Sequence, residues 1–170
     1  MSIQRLGLIP AITDQSPSLS ETISKIVVPV DGSDASIRAG NTAVMLAAKY
    51  GSSVIAVHVT NIDQYLQSFG LYRLSYPDPV KKRIQESELE AQNWFAKLKN
   101  VADQHNVKFE SKLIDSPLSV VAAIIEFAEN QKVELIVVGT RGRTGFSKLL
   151  LGSVANGIVT YASCPVLVVR

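Results

Sequence analysis

The sequence predicts an α/β fold, a doubly wound sheet of five parallel strands, and three observations predict it. Short β-branched apolar runs alternate with longer segments of helical spacing from residue 24 to residue 170. One run, ELIVVG, is apolar without alternation, as a strand covered on both faces must be. Between successive runs the chain holds four helical segments, and parallel neighbours need such crossovers, which are almost always right-handed.

The elements follow in order. KIVVPV (25–30) is the first strand, and from Asp34 to Tyr50 apolar residues recur with helical spacing at Ile37, Ala43, Val44, Ala47 and Ala48. SVIAVHV (53–59) is the second strand. A long helix is predicted to start at Asp78-Pro79, where Asp caps and Pro suits the first turn; its apolar face runs through Ile84, Ala91, Trp94, Leu98 and Val101. VKFESKLI (107–114) alternates as a strand does, and Ser116-Pro117 repeats the cap-plus-proline signal before the apolar helix LSVVAAIIEFAEN. ELIVVG, a short helix VANGIVTYA and the strand PVLVVR complete the chain.

At 170 residues, with 46% hydrophobic and 19% charged residues, the chain has the size and composition of one globular domain rather than a disordered chain. Residues 1–23, rich in Ser, Thr, Asp and Gln and interrupted by Pro10, are expected to be a flexible extension, and residues 24–170 the domain. No window approaches the roughly 18 apolar residues of a membrane span, and a formal charge of +2 lacks the basic excess of a nucleic-acid binder. No membrane and no nucleic acid are therefore expected as partners. The single cysteine, Cys164, excludes an internal disulfide; its apolar setting predicts a buried thiol and, with it, a cytoplasmic protein.

In such sheets, ligands sit beyond the carboxyl ends of the strands, where the winding reverses. That selects residues 29–33, His58, Val59 and Thr60, Asp115 and Ser116, and the run GTRGRTGFSKLLLGS that follows ELIVVG. The run is not a dinucleotide fingerprint, because Gly139, Gly142 and Gly145 read G-x-x-G-x-x-G, and it is not a P-loop, because no glycine in it precedes a lysine. It is not a nucleophile elbow either: no Asp or His follows Ser147 to complete a hydrolase triad. What remains is a strand ending in glycine, a second glycine, nine residues, and Gly152-Ser153 opening a helix, an arrangement whose free amides and dipole suit phosphate.

This G-2x-G-9x-G-[ST] pattern, filled by Gly139, Gly142, Gly152 and Ser153, resembles the nucleotide-binding signature of the universal stress protein family. VPVDGSD in the first strand, the HV pair after the second and PVLVV at the end resemble the family's other motifs. The resemblance implies a Rossmann-like, adenine nucleotide alpha hydrolase-like fold, and membership of the ATP-binding branch. It places Pro29, Val30, Asp31 and Val59 around the adenine and ribose, Val138, Gly139 and Gly142 along the ribose and phosphates, and Gly152, Ser153 and Val154 on the terminal phosphates. Arg141 is included beside the phosphates, at a position where the family often has a small or imidazole residue; Asp115 replaces a common glycine. ATP, with ADP or AMP as alternatives, is the implied ligand, with Mg²⁺ held through its phosphates, and a homodimer through Val166 to Val169 is the implied assembly.

Blander readings stand beside these. Any one glycine serves loop geometry, Ser153 serves as a helix cap, His58 is a satisfied core histidine and His105 is surface. Arg143 and Lys148 belong to a solvated loop or help neutralise phosphate, and Tyr65, Phe69, Tyr72 and Tyr76 form a lid or pack on the long helix. Three functions stay open: a nucleotide receptor without rapid turnover, a slow ATPase or phosphotransferase using Asp31 and Ser153, and a nucleotide-free interaction protein. The S-G-G-x-D-S and H-x-G-H motifs of related adenine-nucleotide enzymes do not occur.

Overall fold

The computed structural model describes residues 23–60, 78–142 and 151–170. Strands β1 (Lys25–Pro29), β2 (Ser53–Thr60), β3 (Phe109–Asp115), β4 (Leu135–Gly139) and β5 (Val166–Val169) form one parallel sheet in the order β3-β2-β1-β4-β5. Helices α1 (Asp34–Tyr50), α2 (Asp78–Gln104), α3 (Val120–Asn130) and α4 (Ser153–Tyr161) alternate with the strands.

Alternate residues of the central strands feed two cores. Ile26, Val28, Val54 and Ala56 pack with Val44, Phe95 and Leu98 under α1 and α2. On the opposite face Val27, Ile55, Val57, Ile136 and Val138 pack with Ile124 and Ile158 under α3 and α4. Each large side chain removed from water in this way contributes about 1.5–3 kcal/mol, which is why β1 and β4 admit no polar residue between Ile26 and Val28 or between Leu135 and Val138.

Helix ends follow local chemistry. Ser33 caps α1 by accepting the Ser36 N–H, and Gly51 ends it at φ 71°, a left-handed conformation that suits glycine. The expected start of α3 at Ser116-Pro117 is corrected: Ser119 is the cap and accepts the Ala122 N–H, while the Ser116 hydroxyl accepts the Leu118 N–H in the preceding turn. Pairing of β3 continues to Asp115 opposite Thr60, so the chain needs these residues to fold back onto the sheet. Ser153 is not the cap of α4; Gly152 is, and it makes no side-chain capping bond.

Ile23 already packs against the first core and Ser24 is bonded to Glu134, so the chain is anchored from the first described residue. Residues 1–22 of the expected extension 1–23, the aromatic connection 61–77, Arg143 and Lys148 lie outside the described residues, whereas Ile23 packs with the domain. Cys164 is half-buried rather than enclosed, and burial pushes its thiol pKa up. His105 is exposed. Among the described residues no helix is long and apolar enough to cross a membrane.

Candidate functional site

The order of the strands puts β1 beside β4, with α1 covering one face and α3 and α4 the other, so the winding reverses between them. A cavity of about 490 Å³ opens at this point, beyond the carboxyl ends of both strands. All eleven residues expected at the site line it: Pro29, Val30, Asp31, Val59, Val138, Gly139, Arg141, Gly142, Gly152, Ser153 and Val154.

One wall is the end of β1. Val30 is buried, and its N–H donates to the Val57 carbonyl at 2.8 Å. Asp31 follows with its carboxylate held by Ser33: Oδ1 accepts the Ser33 N–H at 3.0 Å and the Ser33 hydroxyl at 2.6 Å. Capping of α1 belongs to Ser33, which leaves Asp31 at the cavity rather than on the helix.

The facing wall is formed by the two described ends of the glycine loop, residues 139–142 and 152–155. Thr140 donates its N–H to the Val169 carbonyl at 2.8 Å and accepts the Gly152 N–H at 2.7 Å, so the strand end, β5 and the opening of α4 are joined at one residue. A Cβ on Gly152 would stand 3.3 Å from the Thr140 oxygen, a close approach that keeps the two ends of the loop together. Gly152 brings no capping side chain to α4, and Gly152, Ser153, Val154 and Ala155, the start of that helix, line the cavity, where the positive end of a helix dipole attracts anions. Arg141 is exposed at the rim, and its carbonyl lies 3.2 Å from the Ser33 hydroxyl.

Gly139, which ends β4, and Gly142, which follows it, do different work. A Cβ on Gly139 would meet the backbone of Ala35 and Ser36 at 2.6–2.9 Å, so its bare backbone admits the first turn of α1. At Gly142 the nearest atom is Oδ2 of Asp31.

The remainder is apolar. Val57, Val59, Val120, Ile124 and Val138 make a hydrophobic slot joined to the polar rim. Sequence reasoning missed Val120 and Ile124, which tertiary packing of α3 delivers and no local motif marks. It also missed Ser36, Val57 and Ala155, and gave Thr140, which lies within the selected glycine run between Gly139 and Arg141, no role of its own. Thr60, Asp115 and Ser116 do not line the cavity: Thr60 ends β2 opposite Asp115 of β3, on the side of β2 away from β1, and both β2 and β1 stand between β3 and β4. His58 borders the cavity, yet its ring is satisfied behind the wall, with Nδ1 2.8 Å from the Val30 carbonyl. Among the described residues no cluster of three or more His, Cys, Asp or Glu side chains could hold a metal.

Comparison with known proteins places this geometry. The Universal stress protein family model matches residues 22–170. A universal stress protein of Methanocaldococcus jannaschii, MJ0531, is 36% identical over 147 residues, covering 86% of this chain and 81% of the relative. In fold, universal stress protein UspA from Lactobacillus plantarum matches with a TM-score of 0.75 at 23% identity, covering 88% of this chain and 99% of that one. The universal stress protein from Archaeoglobus fulgidus in complex with dAMP matches with a TM-score of 0.62 at 23% identity, over 86% and 98% of the two chains. A family protein from Arabidopsis thaliana with AMP bound matches with a TM-score of 0.58 at 15% identity, over 86% and 90%. With the sheet order, the glycine signature and a family match over nearly the whole described chain, this protein belongs to the universal stress protein family.

Proposed function

We propose that this chain is an adenine-nucleotide receptor, with ATP as its principal ligand and nucleotide occupancy serving regulation in a stress response. One observation carries the reading: a single cavity of about 490 Å³ joins an apolar slot to the start of α4, whose cap Gly152 has no side chain, and to glycines suited to phosphates. The dAMP and AMP complexes of related folds support the adenine class. Pro29, Val30, Asp31 and Val59 are assigned to base and ribose, Val138, Gly139, Arg141 and Gly142 to ribose and phosphates, and Gly152, Ser153 and Val154 to the terminal phosphates. Mg²⁺ would be held through those phosphates. A receptor fits better than a hydrolase because Asp31 Oδ1 is already occupied by two hydrogen bonds from Ser33, as suits an orienting group more than a general base. The working form is proposed to be a cytoplasmic homodimer joined at β5, with the residues before Ile23 an appended extension.

Mass spectrometry of the small molecules released from freshly purified, denatured protein tests the ligand class, and calorimetry with ATP, ADP, AMP and GTP in Mg²⁺ ranks them. An adenine nucleotide in the released fraction and micromolar ATP binding are expected. No nucleotide released and no heat of binding would overturn the reading. ADP appearing at many turnovers per hour would instead favour the enzyme.

A further inference from the structure

We propose that His58 and Trp94 are positioning residues for the nucleotide site: from behind the β1 wall they fix residues 30–32, and thereby tie helix α2 to ligand affinity. The inference deepens the nucleotide reading and rests on it.

Hydrogen bonding at Val30 provides the first hold on this wall. A carbonyl oxygen only accepts, so the 2.8 Å contact with His58 makes Nδ1 the protonated nitrogen and the donor. The Val30 N–H is committed to Val57 as well. Both polar groups of this buried residue are therefore spoken for by β2, and the orientation of the peptide leading to Asp31 is set by them. On the other side of the imidazole, Nε2 lies 3.5 Å from the Ser87 hydroxyl of α2.

Trp94 of α2 holds the same loop at a second point. Its ring meets the His58 ring edge-on, with centroids 5.3 Å apart and planes at 80°. It also covers Gly32, where a Cβ would fall 2.3 Å from Cε2 and Cζ2 of the indole and where φ is +82°. The glycine is needed twice over, for its left-handed backbone and for the space the indole occupies. Val30, Asp31 and His58 border the cavity, whereas Trp94 does not. A shift of α2 at Trp94 must move His58, Gly32 or both, and each is bonded to a residue that forms the wall. Neither contact belongs to the glycine signature, and both depend on side chains of one helix.

Full-length ligand-free protein provides the first test. The His58 Nδ1 proton should give a slowly exchanging imidazole resonance by NMR, and the amides of residues 31–33 should exchange slowly. In His58→Leu, which keeps bulk and loses the donor, and in Trp94→Leu, those amides should exchange about tenfold faster while β4 amides stay as they were. His58→Asn, which restores an N–H at the δ position, and Trp94→Phe should return toward the wild-type rate; these milder changes also serve if the leucine variants do not fold. In calorimetry, ATP affinity should fall about tenfold in the leucine variants and recover in the conservative ones. Emission from Trp94, the single tryptophan, should change when wild type takes up ATP. Unchanged exchange and unchanged ATP affinity in folded leucine variants would overturn the proposal. If wild type binds no nucleotide, the functional reading fails, and the exchange measurement still decides whether the pair positions this wall.

Discussion

Gly142 and Asp31 meet across the mouth of the cavity: a Cβ added to Gly142 would lie 2.7 Å from Oδ2 of Asp31. The carboxylate after β1 and the glycine loop after β4 therefore share one contact, and a change to either alters the other. Since the obstructing atom is the end of a side chain, an alanine here displaces a carboxylate and leaves the backbone in place.

Gly142 and Gly139 should consequently separate binding from stability. Gly142→Val is expected to fold with a wild-type melting temperature and to bind ATP at least about tenfold more weakly. Gly139→Ala drives a methyl into the backbone of Ala35 and Ser36, which cannot swing aside, and should cost about 1–3 kcal/mol. Thermal melts paired with calorimetry on both variants check this. Wild-type ATP affinity in Gly142→Val would remove the phosphate assignment from the loop.

Asp31 should set base preference. A carboxylate accepts a hydrogen bond from the exocyclic amine of adenine and repels the O6 of guanine. Asp31→Asn can still accept from Ser33 through its carbonyl, so its stability should hold, while discrimination of ATP over GTP falls about tenfold. Competition calorimetry with the two nucleotides reads the ratio directly. An unchanged ratio in both Asp31→Asn and Asp31→Ala would confine Asp31 to holding Ser33.

Much of this arrangement was legible in the sequence because its signals are local. Buried strands such as ELIVVG announce themselves by composition, and glycines at 139, 142 and 152 by spacing. The start of α3 was misplaced because Ser116-Pro117 and Ser119 offer similar local chemistry, and only the extension of β3 to Asp115 decides between them. Strand order was not legible, since pairing of β1 with β4 is a long-range event that no motif encodes. For the same reason the slot residues Val120 and Ile124, and the contact of Trp94 with Gly32, come only from packing.

Glu134 should give the fold an acid-sensitive fastening. Its carboxylate accepts from the Ser24 hydroxyl at 2.7 Å, from the Ser24 N–H and from the Lys25 N–H at 3.3 Å, and these bonds, the hydroxyl's first, hold its pKa below the ordinary 4.5. A carboxylate whose folded pKa is depressed contributes stability that is present above its unfolded pKa and lost as pH falls through the folded one. Glu134→Gln should therefore melt below wild type at pH 7, with the gap closing as pH drops below about 4.5. Because the group is largely solvated, salt and water weaken the effect, and a shift of a degree or two is expected. A gap that is constant from pH 7 to pH 3 would show that the charge is not what matters.

The assembly prediction follows from the two borders of the sheet. At one border β3 carries Glu110, Lys112 and Asp115, charges that discourage pairing with another strand. At the other, β5 reads VLVV, with Leu167 exposed and no charge within the strand. Ile136 donates to the Pro165 carbonyl and Thr140 to the Val169 carbonyl, so odd-numbered residues of β5 turn their polar groups toward β4. Alternation then turns the N–H and C=O of Val166 and Val168 outward. A second β5, antiparallel about a two-fold axis, would satisfy both residues in each copy. Val168→Pro removes one outward donor and none of the bonds to β4, so it should yield a folded monomer, whereas Leu167→Pro removes a ladder donor and should unfold the border. Leu167→Lys, which keeps the backbone and adds like charge on each edge, should also give a folded monomer. Light scattering should find wild type at twice the chain mass at micromolar concentration and both Val168→Pro and Leu167→Lys at the chain mass. A monomeric wild type would exclude the dimer, and a dimer that survives both substitutions would place its interface away from β5.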